Sequence, residues 1–189
     1  MSAPRVLVPV SDGSEEIETV GIVDTLRRAG AEVTVARVAS PLGADLEFTA
    51  SRGVRLVADR PLAACAGETW DAIVLPGGLP GAEYLRDDAT LLDLLREQLA
   101  AGRLVGAICA APVTVLAEHD LLEGRRATCF PSLAQWLPDG AHSADRVVVD
   151  RNLVTSQGPG TSLEFALTLV GLLSGQDKRD EIAAQLLLT

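Results

Sequence analysis

The sequence predicts an α/β fold with a mostly parallel central sheet and helices on both of its faces. Short runs of branched apolar residues alternate with segments of helical periodicity, which is the pattern of βαβ units. Of the 189 residues, 48% are hydrophobic but only 3% are aromatic, so Val, Leu, Ala and Ile must form most of the core. A chain of this length needs neither disulfides nor a metal to fold, and we expect one domain over residues 1–189.

The first half of the chain contains three strand segments, one hairpin and two helices. The helices end at Gly30 and Gly102, residues that favour the left-handed conformation after a helix. The hairpin turns around residues 51–53, and the third strand stops at the glycine pair of LPGG. In order, the predicted elements are a strand over 5–10, a helix over 15–30, a strand over 32–38, a hairpin over 46–60, a strand over 71–78 and a helix over 88–102.

The second half continues the alternation. Its hairpin turns at Arg151 and Asn152, and its longest helix opens on a capping box formed by Thr161 and Glu164. The predicted elements are a strand over 104–109, a helix over 112–119, a hairpin over 146–157, a helix over 161–175 and a last helix over 177–187. In such folds ligands bind beyond the carboxyl ends of the strands, so we expect the turns at 11–18, 76–81, 109–112 and 156–161 to converge on a site.

Composition excludes several classes of function. The net charge of −10 argues against nucleic acid and anionic membrane surfaces as partners, and no apolar run is long enough to span a bilayer. The first ten residues do not form a signal peptide. Three cysteines without CxxC spacing indicate free thiols in a reducing cytoplasm and no zinc site. The acidic balance fits an ordinary cytoplasmic protein better than the alternative, a protein adapted to high salt.

Cys109 is the main candidate for chemistry. It lies where the strand 104–109 turns into the next helix, and its neighbours Gly106, Ala107, Ala110 and Ala111 are small enough to permit a sharp turn. The start of that helix should favour the thiolate. From these residues alone, a reactive thiol and a small buried core residue are equally good explanations. For Cys65 and Cys129, which lack such neighbours, we favour the core.

A reactive thiol needs a partner, and the two histidines are poor ones. His119 is ten residues away at the far end of the same predicted helix, and His142 lies in a polar loop. Glu18 is the alternative, because it begins an apolar helical stripe and would be buried at the rim of the strand ends, where burial would raise its pKa. An alternative explanation is that Glu18, like other acidic residues, favours the first turns of a helix and has no role in chemistry.

Two glycine-rich turns complete the predicted pocket. PGGLPG, which contains Gly77 and Gly78, could offer main-chain N–H groups to an anion. QGPGTS, which contains Gly158, could line the same pocket, although a tight turn before a capped helix explains it fully. Neither GxGxxG nor GxxxxGK[ST] occurs, so we expect no nucleotide and no other cofactor.

Four motifs in order, DGSEEIETV, LPGG, AICAAP and TSQGPGTSLEFAL, make the chain resemble the ThiJ/PfpI superfamily, and above all its DJ-one-like branch of chaperone and deglycase proteins. The resemblance implies a flavodoxin-like three-layer α/β sandwich and a homodimer. It also implies that Cys109 is an easily oxidised nucleophile that Glu18 contacts. The N–H groups of Gly78 and Ala110 would hold an oxyanion or sulfinate, with Arg28 and Arg52 at the pocket border near the dimer interface.

Two departures from the family pattern narrow the expected activity. Protease-like members have a histidine after the cysteine, where this chain has Ala110, so peptidase activity is not expected. Animal members have a pocket histidine where Phe130 stands, which leaves Glu18 as the evident acid and base. The leading hypothesis is a cytoplasmic stress-response enzyme, a glyoxalase III or deglycase acting on methylglyoxal, glyoxal or glycated proteins. The alternatives are a redox sensor and holdase chaperone, or a catalytically silent dimer.

Overall fold

A seven-stranded sheet forms the centre of the computed structural model, which describes residues 2–188. All neighbouring strands are parallel except the last pair, β9 and β8. The seven strands are β1 (Arg5–Val10), β2 (Glu32–Arg37), β5 (Arg60–Pro61), β6 (Ala72–Leu75), β7 (Leu104–Ile108), β8 (Val147–Asp150) and β9 (Leu153–Ser156). They lie side by side in the order β5-β2-β1-β6-β7-β9-β8. The two remaining strands, β3 (Glu47–Thr49) and β4 (Arg55–Val57), form a separate antiparallel hairpin.

Helices cover both faces of the sheet, so the fold is the predicted three-layer α/β sandwich. Side chains of β1 alternate between the two faces: Leu7 packs into one core, and Val6 and Val8 pack into the other. The helices are α1 (Glu16–Arg28) and α4 (Ser162–Ser174) on one face, α2 (Gly81–Arg86) and α3 (Ala89–Ala100) on the other, and α5 (Gln176–Gln185), which packs on α4.

The predicted strands and both predicted hairpins are present, but two helical segments differ from expectation. The chain after Cys109 is helical over 112–119, as predicted, but it is not a regular α-helix. It forms one π-helical turn, Pro112–Leu116, and a 3₁₀ turn, Ala117–His119, which ends where Asp120 adopts a left-handed conformation. Helix α2 was not predicted, because its six residues begin at the last glycine of PGGLPG and are too few to show a periodic pattern.

The predicted capping box at the start of α4 is wrong. The Thr161 hydroxyl contacts the Ser156 hydroxyl at 2.6 Å and the Gly158 main-chain N–H at 3.1 Å, so it closes the turn before the helix. The Glu164 carboxylate points outward and pairs with Arg146 at 2.8 Å. The preceding turn has taken the Thr161 hydroxyl, and Arg146 has taken the Glu164 carboxylate, away from the predicted cap.

The parallel strands place four turns at one edge of the sheet. The carboxyl ends of β1, β6, β7 and β9 lie next to one another, so the segments after them meet there, as expected for ligand sites in open α/β sheets. Among the described residues, 2–188, none of the helices has the length and apolar character to cross a membrane. The extent of the domain, residues 1–189, stays a prediction.

Candidate active site

Cys109 occupies the sharp turn that comes after β7. Its φ of 64° is left-handed, a conformation that costs a residue with a side chain roughly 1–3 kcal/mol. Two hydrogen bonds hold it there: the Cys109 N–H donates to Ser156 O at 3.0 Å, and Cys109 O accepts from the Phe130 N–H at 2.8 Å. The neighbouring strand and the 130 loop therefore fix the cysteine from both sides.

The Gly77–Gly78 turn packs directly against Cys109. A Cβ at Gly77 would lie 2.6 Å from Cys109 Cβ, and a Cβ at Gly78, whose φ is 86°, would lie 2.4 Å from Gly13 O. Only glycine fits either position. This close approach allows the N–H groups of Gly78 and Ala110 to face Sγ, where both favour the ionised form of the thiol.

Glu18 lies on the first turn of α1 and is completely buried. The Glu15 carboxylate caps this helix by accepting from the Glu18 N–H at 2.8 Å. Glu18 Oε2 accepts from the Gly77 N–H at 2.7 Å. The second oxygen, Oε1, is buried without a hydrogen-bond partner among the described residues, and the neighbouring Cys109 thiol is a group that acts on the pKa of this carboxyl.

The Glu18–Cys109 pair cannot readily carry two negative charges. Burial raises the pKa of Glu18 to about 7, against the opposing hydrogen bond from Gly77. Burial, followed by the charge of Glu18, raises the pKa of the Cys109 thiol to about 12. Two groups in such close contact release their protons as a unit. Above about pH 7 the pair therefore holds one proton between a carboxylate and a sulfur atom.

The expectation that the start of a helix lowers the pKa of Cys109 is wrong in direction. The cysteine leads into a single π-helical turn, and burial together with the Glu18 charge outweighs the two N–H groups that favour the thiolate. Ionisation of the thiol thus depends on Glu18 being able to take up the proton.

The structure brings together six of the eight predicted site residues. Cys109, Glu18, Gly77, Gly78 and Ala110 are in mutual contact as described, and a Cβ on Gly158 would lie 3.9 Å from Cys109 Sγ. The side chains of the two arginines stand apart from this group.

Arg52 and Arg28 have different positions. The Arg52 main-chain N–H donates to the Glu16 carboxylate at 2.8 Å, which places this exposed residue at the rim, beside the start of α1. Arg28 is at the other end of α1, roughly 15 Å along the helix from Glu18, and pairs with Asp24 at 2.6 Å. Within one chain Arg28 does not border the pocket.

Glu16 is a site-forming residue that sequence reasoning missed. Its carboxylate accepts from the Ser51 hydroxyl at 2.8 Å as well as from the Arg52 N–H. Although burial opposes it, these hydrogen bonds lower the pKa of Glu16. Glu16 thereby ties the β3–β4 hairpin to the helix that carries Glu18. In the sequence its position suggested only an acid in the first helical turn.

The remaining candidates do not join the site. His119 contacts Arg86 O through Nε2 at 3.0 Å, and His142 is exposed. Cys65 and Cys129 lie in the core, where burial raises the pKa of both thiols. All three cysteines are free. Within residues 2–188, no three His, Cys, Asp or Glu side chains are grouped so that they could hold a metal ion.

Comparison with known proteins identifies the family of this chain. A profile of the DJ-1/PfpI family matches residues 4–172. Protein DJ-1 homolog B of Arabidopsis thaliana is 49% identical over 175 residues, which cover 93% of this chain but only 39% of that protein. The glutathione-independent glyoxalase DJR-1.2 of Caenorhabditis elegans is 36% identical over 186 residues, covering 97% of this chain and 95% of the relative.

A solved structure agrees over nearly the whole fold. Oxidized DJ-1 of Toxoplasma gondii superposes with a TM-score of 0.94 at 46% identity, covering 98% of each chain. Both the sequence match and the fold therefore extend across the segments that carry Cys109 and Glu18. The chain belongs to the DJ-1/PfpI family.

Proposed function

We propose that this protein is a cofactor-independent glyoxalase or deglycase that acts on methylglyoxal, glyoxal or their early adducts on proteins. The observation that carries the proposal is the buried Glu18 carboxyl, held between the Gly77 N–H and the Cys109 thiol. A base is most effective when its pKa is close to the working pH, and burial raises the pKa of Glu18 to about 7. The name of the Caenorhabditis elegans relative, a glutathione-independent glyoxalase, supports the same chemistry.

The first step is addition of the thiol to the aldehyde. Cys109 Sγ forms a bond to the aldehyde carbon, and the π electrons of the carbonyl move onto its oxygen. The N–H groups of Gly78 and Ala110, which face Sγ, are placed to donate to that oxygen. Glu18 takes the thiol proton and passes it to the oxygen, which gives a hemithioacetal.

The second step moves a hydrogen between the two carbons. Glu18 removes the proton from the former aldehyde carbon, and the electron pair flows toward the neighbouring ketone to form an enediol. Return of the proton to the ketone carbon leaves a thioester on Cys109, which water hydrolyses to lactate in the case of methylglyoxal. One carbon is oxidised and its neighbour is reduced, so no external oxidant takes part.

The test is formation of lactate from methylglyoxal by the purified protein. We expect Cys109→Ser to abolish it and Glu18→Gln to reduce kcat by at least 10²-fold, within the range for a lost general base. Cys65→Ser serves as the matched control and should retain activity, because Cys65 lies in the core away from the site. Lactate formation by Cys109→Ser at the wild-type rate would exclude the proposal.

A second candidate function is redox sensing by the same cysteine, with holdase chaperone activity and little turnover. It is favoured by the Gly78 and Ala110 N–H groups, which could hold a sulfinate as well as an oxyanion, and the similar Toxoplasma gondii structure is described as oxidized. One peroxide would transfer an oxygen to Sγ and leave as water, giving a sulfenic acid, and a second peroxide would give the sulfinic acid in the same way. Intact-mass and peptide spectra after mild peroxide should show oxygen on Cys109; gain only on Cys65 or Cys129 excludes a sensor.

We also propose that the protein acts as a homodimer in the cytoplasm. Ile17 and Val20, one turn apart on α1, are 59% and 49% exposed, and Leu163 on the adjacent α4 extends this apolar surface. Light scattering should give twice the chain mass, and Ile17→Glu should give monomers. Three free thiols suit a reducing compartment.

A further inference from the structure

Phe130 is an exposed aromatic residue beside the cysteine. The chain contains three phenylalanines; Phe48 and Phe165 are fully buried, whereas 43% of Phe130 is exposed. An exposed aromatic ring gains its apolar contact area only when another molecule covers it. The position of this ring relative to Cys109 therefore decides what it could bind.

The backbone of Phe130 is tied to that of the cysteine. Its N–H donates to Cys109 O at 2.8 Å, and its carbonyl accepts from the Leu133 N–H at the same distance. Pro131 is the next residue, and it restricts Phe130 to the extended conformation, with φ −58° and ψ 128°. The start of the ring side chain is thus held at a constant position relative to the nucleophile.

Gly158 leaves an opening between the ring and the sulfur. A Cβ at this position would lie 3.3 Å from Phe130 Cδ2 and 3.9 Å from Cys109 Sγ. The Gly158 backbone is extended, with φ 162°, so the backbone does not require glycine here. Because a methyl group here would already press on the ring, a larger substituent bound to Sγ reaches the exposed part of the ring by passing over Gly158. The surface formed by Gly158 and the exposed part of the ring is called the slot below. The polar groups that reach Sγ, from Glu18, Gly78 and Ala110, do not form this wall.

We propose that Phe130 and Gly158 form an apolar slot that receives the substituent of a 2-oxoaldehyde, and that the enzyme therefore prefers aryl or branched alkyl 2-oxoaldehydes to glyoxal. This inference rests on the proposed function and names its substrate class. When Sγ bonds to the aldehyde carbon and the oxygen faces Gly78 and Ala110, the rest of the molecule can extend across Gly158 to the ring. Glyoxal, whose second carbon bears only hydrogen, leaves the ring uncovered.

Covalent labelling tests the slot without relying on turnover. The rates at which N-benzyl iodoacetamide and iodoacetamide modify Cys109 are measured by peptide mass spectrometry and divided by their rates with N-acetylcysteine. We expect the corrected benzyl-to-amide ratio of the wild type to exceed that of Phe130→Ala by about tenfold. Gly158→Ala, whose methyl would fill the slot, should lower the same ratio. Trp136→Ala, which removes an aromatic side chain exposed elsewhere in the same loop, should leave it unchanged.

Turnover of phenylglyoxal and glyoxal distinguishes this inference from the proposed function. A wild-type preference for phenylglyoxal in kcat/KM that Phe130→Ala abolishes supports both. If no 2-oxoaldehyde is turned over but the labelling ratio responds to Phe130→Ala and Gly158→Ala, the slot stands and the glyoxalase proposal fails. Equal labelling ratios in wild type, Phe130→Ala and Gly158→Ala overturn the slot, whatever the turnover.

Discussion

The burial of Glu18 predicts an unusual dependence of stability on pH. Its pKa is about 7 in the folded protein, against 4.5 for an ordinary glutamate. Between these values the unfolded chain has released the proton while the folded protein retains it. The free energy of unfolding therefore falls as the pH rises from 4.5 to 7, and the stabilisation present below pH 4.5 is lost above pH 7.

The size of this pH dependence follows from the shift in the pKa of Glu18. Each pKa unit corresponds to about 1.4 kcal/mol, so the shift of Glu18 amounts to about 3 kcal/mol. Glu18→Gln removes the titration but keeps an oxygen that can accept from the Gly77 N–H. The quantity to compare is the free energy of unfolding of Glu18→Gln minus that of the wild type. We expect this difference to be about 3 kcal/mol larger at pH 8 than at pH 4, which corresponds to roughly 6–12 °C in Tm for a chain of this length.

Urea unfolding of both proteins at pH 4, 6 and 8 measures this difference, because the two proteins share all titrating groups except Glu18, and the coupled Cys109 thiol is protonated throughout this range. Glu16→Gln on the same helix is the matched control with the opposite sign. Burial opposes the shift, but the hydrogen bonds from Ser51 and Arg52 lower the pKa of Glu16. The stability that ionised Glu16 provides is present above the pKa of this residue in the unfolded chain and is lost as the pH falls. Glu16→Gln should therefore lower the free energy of unfolding at pH 8 and leave it nearly unchanged at low pH. A Glu18→Gln difference that does not change with pH would refute the reasoning.

Three further predictions concern the site and the surface. Alkylation of Cys109 by iodoacetamide should keep rising with pH above pH 7, because burial and the Glu18 charge raise the pKa of the thiol to about 12, and Glu18→Gln should lower the midpoint because it removes that charge; a wild-type rate that levels off near pH 7 would contradict this. Gly77→Ala, which places a methyl 2.6 Å from Cys109 Cβ, should cost about 1–3 kcal/mol in urea unfolding, while Gly160→Ala, with nothing within 4 Å, should be near neutral. Despite the net charge of −10, circular dichroism should show a folded protein at 10 mM salt, because acids such as Glu68 are paired with arginines; unfolding at low salt would instead indicate adaptation to high salt.

Much of the fold was predictable because its determinants are local. The branched apolar run of β1 and the glycine just after α1 specify their elements within a few residues of sequence. The same holds for the turn at Cys109, since four small neighbours permit only a sharp bend. The π form of the turn after Cys109 was not predictable, because an apolar pattern indicates a helix but not its type. The Thr161–Glu164 cap is absent because Thr161 bonds back into the preceding turn and Glu164 pairs with Arg146.

By itself, the sequence determined the layer architecture, the edge of the sheet where a site should lie, and the candidate pair of Cys109 and Glu18. Only the tertiary structure decided how that pair is protonated, because the pKa of Glu18 depends on complete burial and on an N–H group 59 residues away. The structure likewise assigned Glu16 to the hairpin and placed Phe130 across Gly158 from the sulfur. Electrostatics and shape at a site depend on which distant segments pack together, and no local pattern in the chain records that packing.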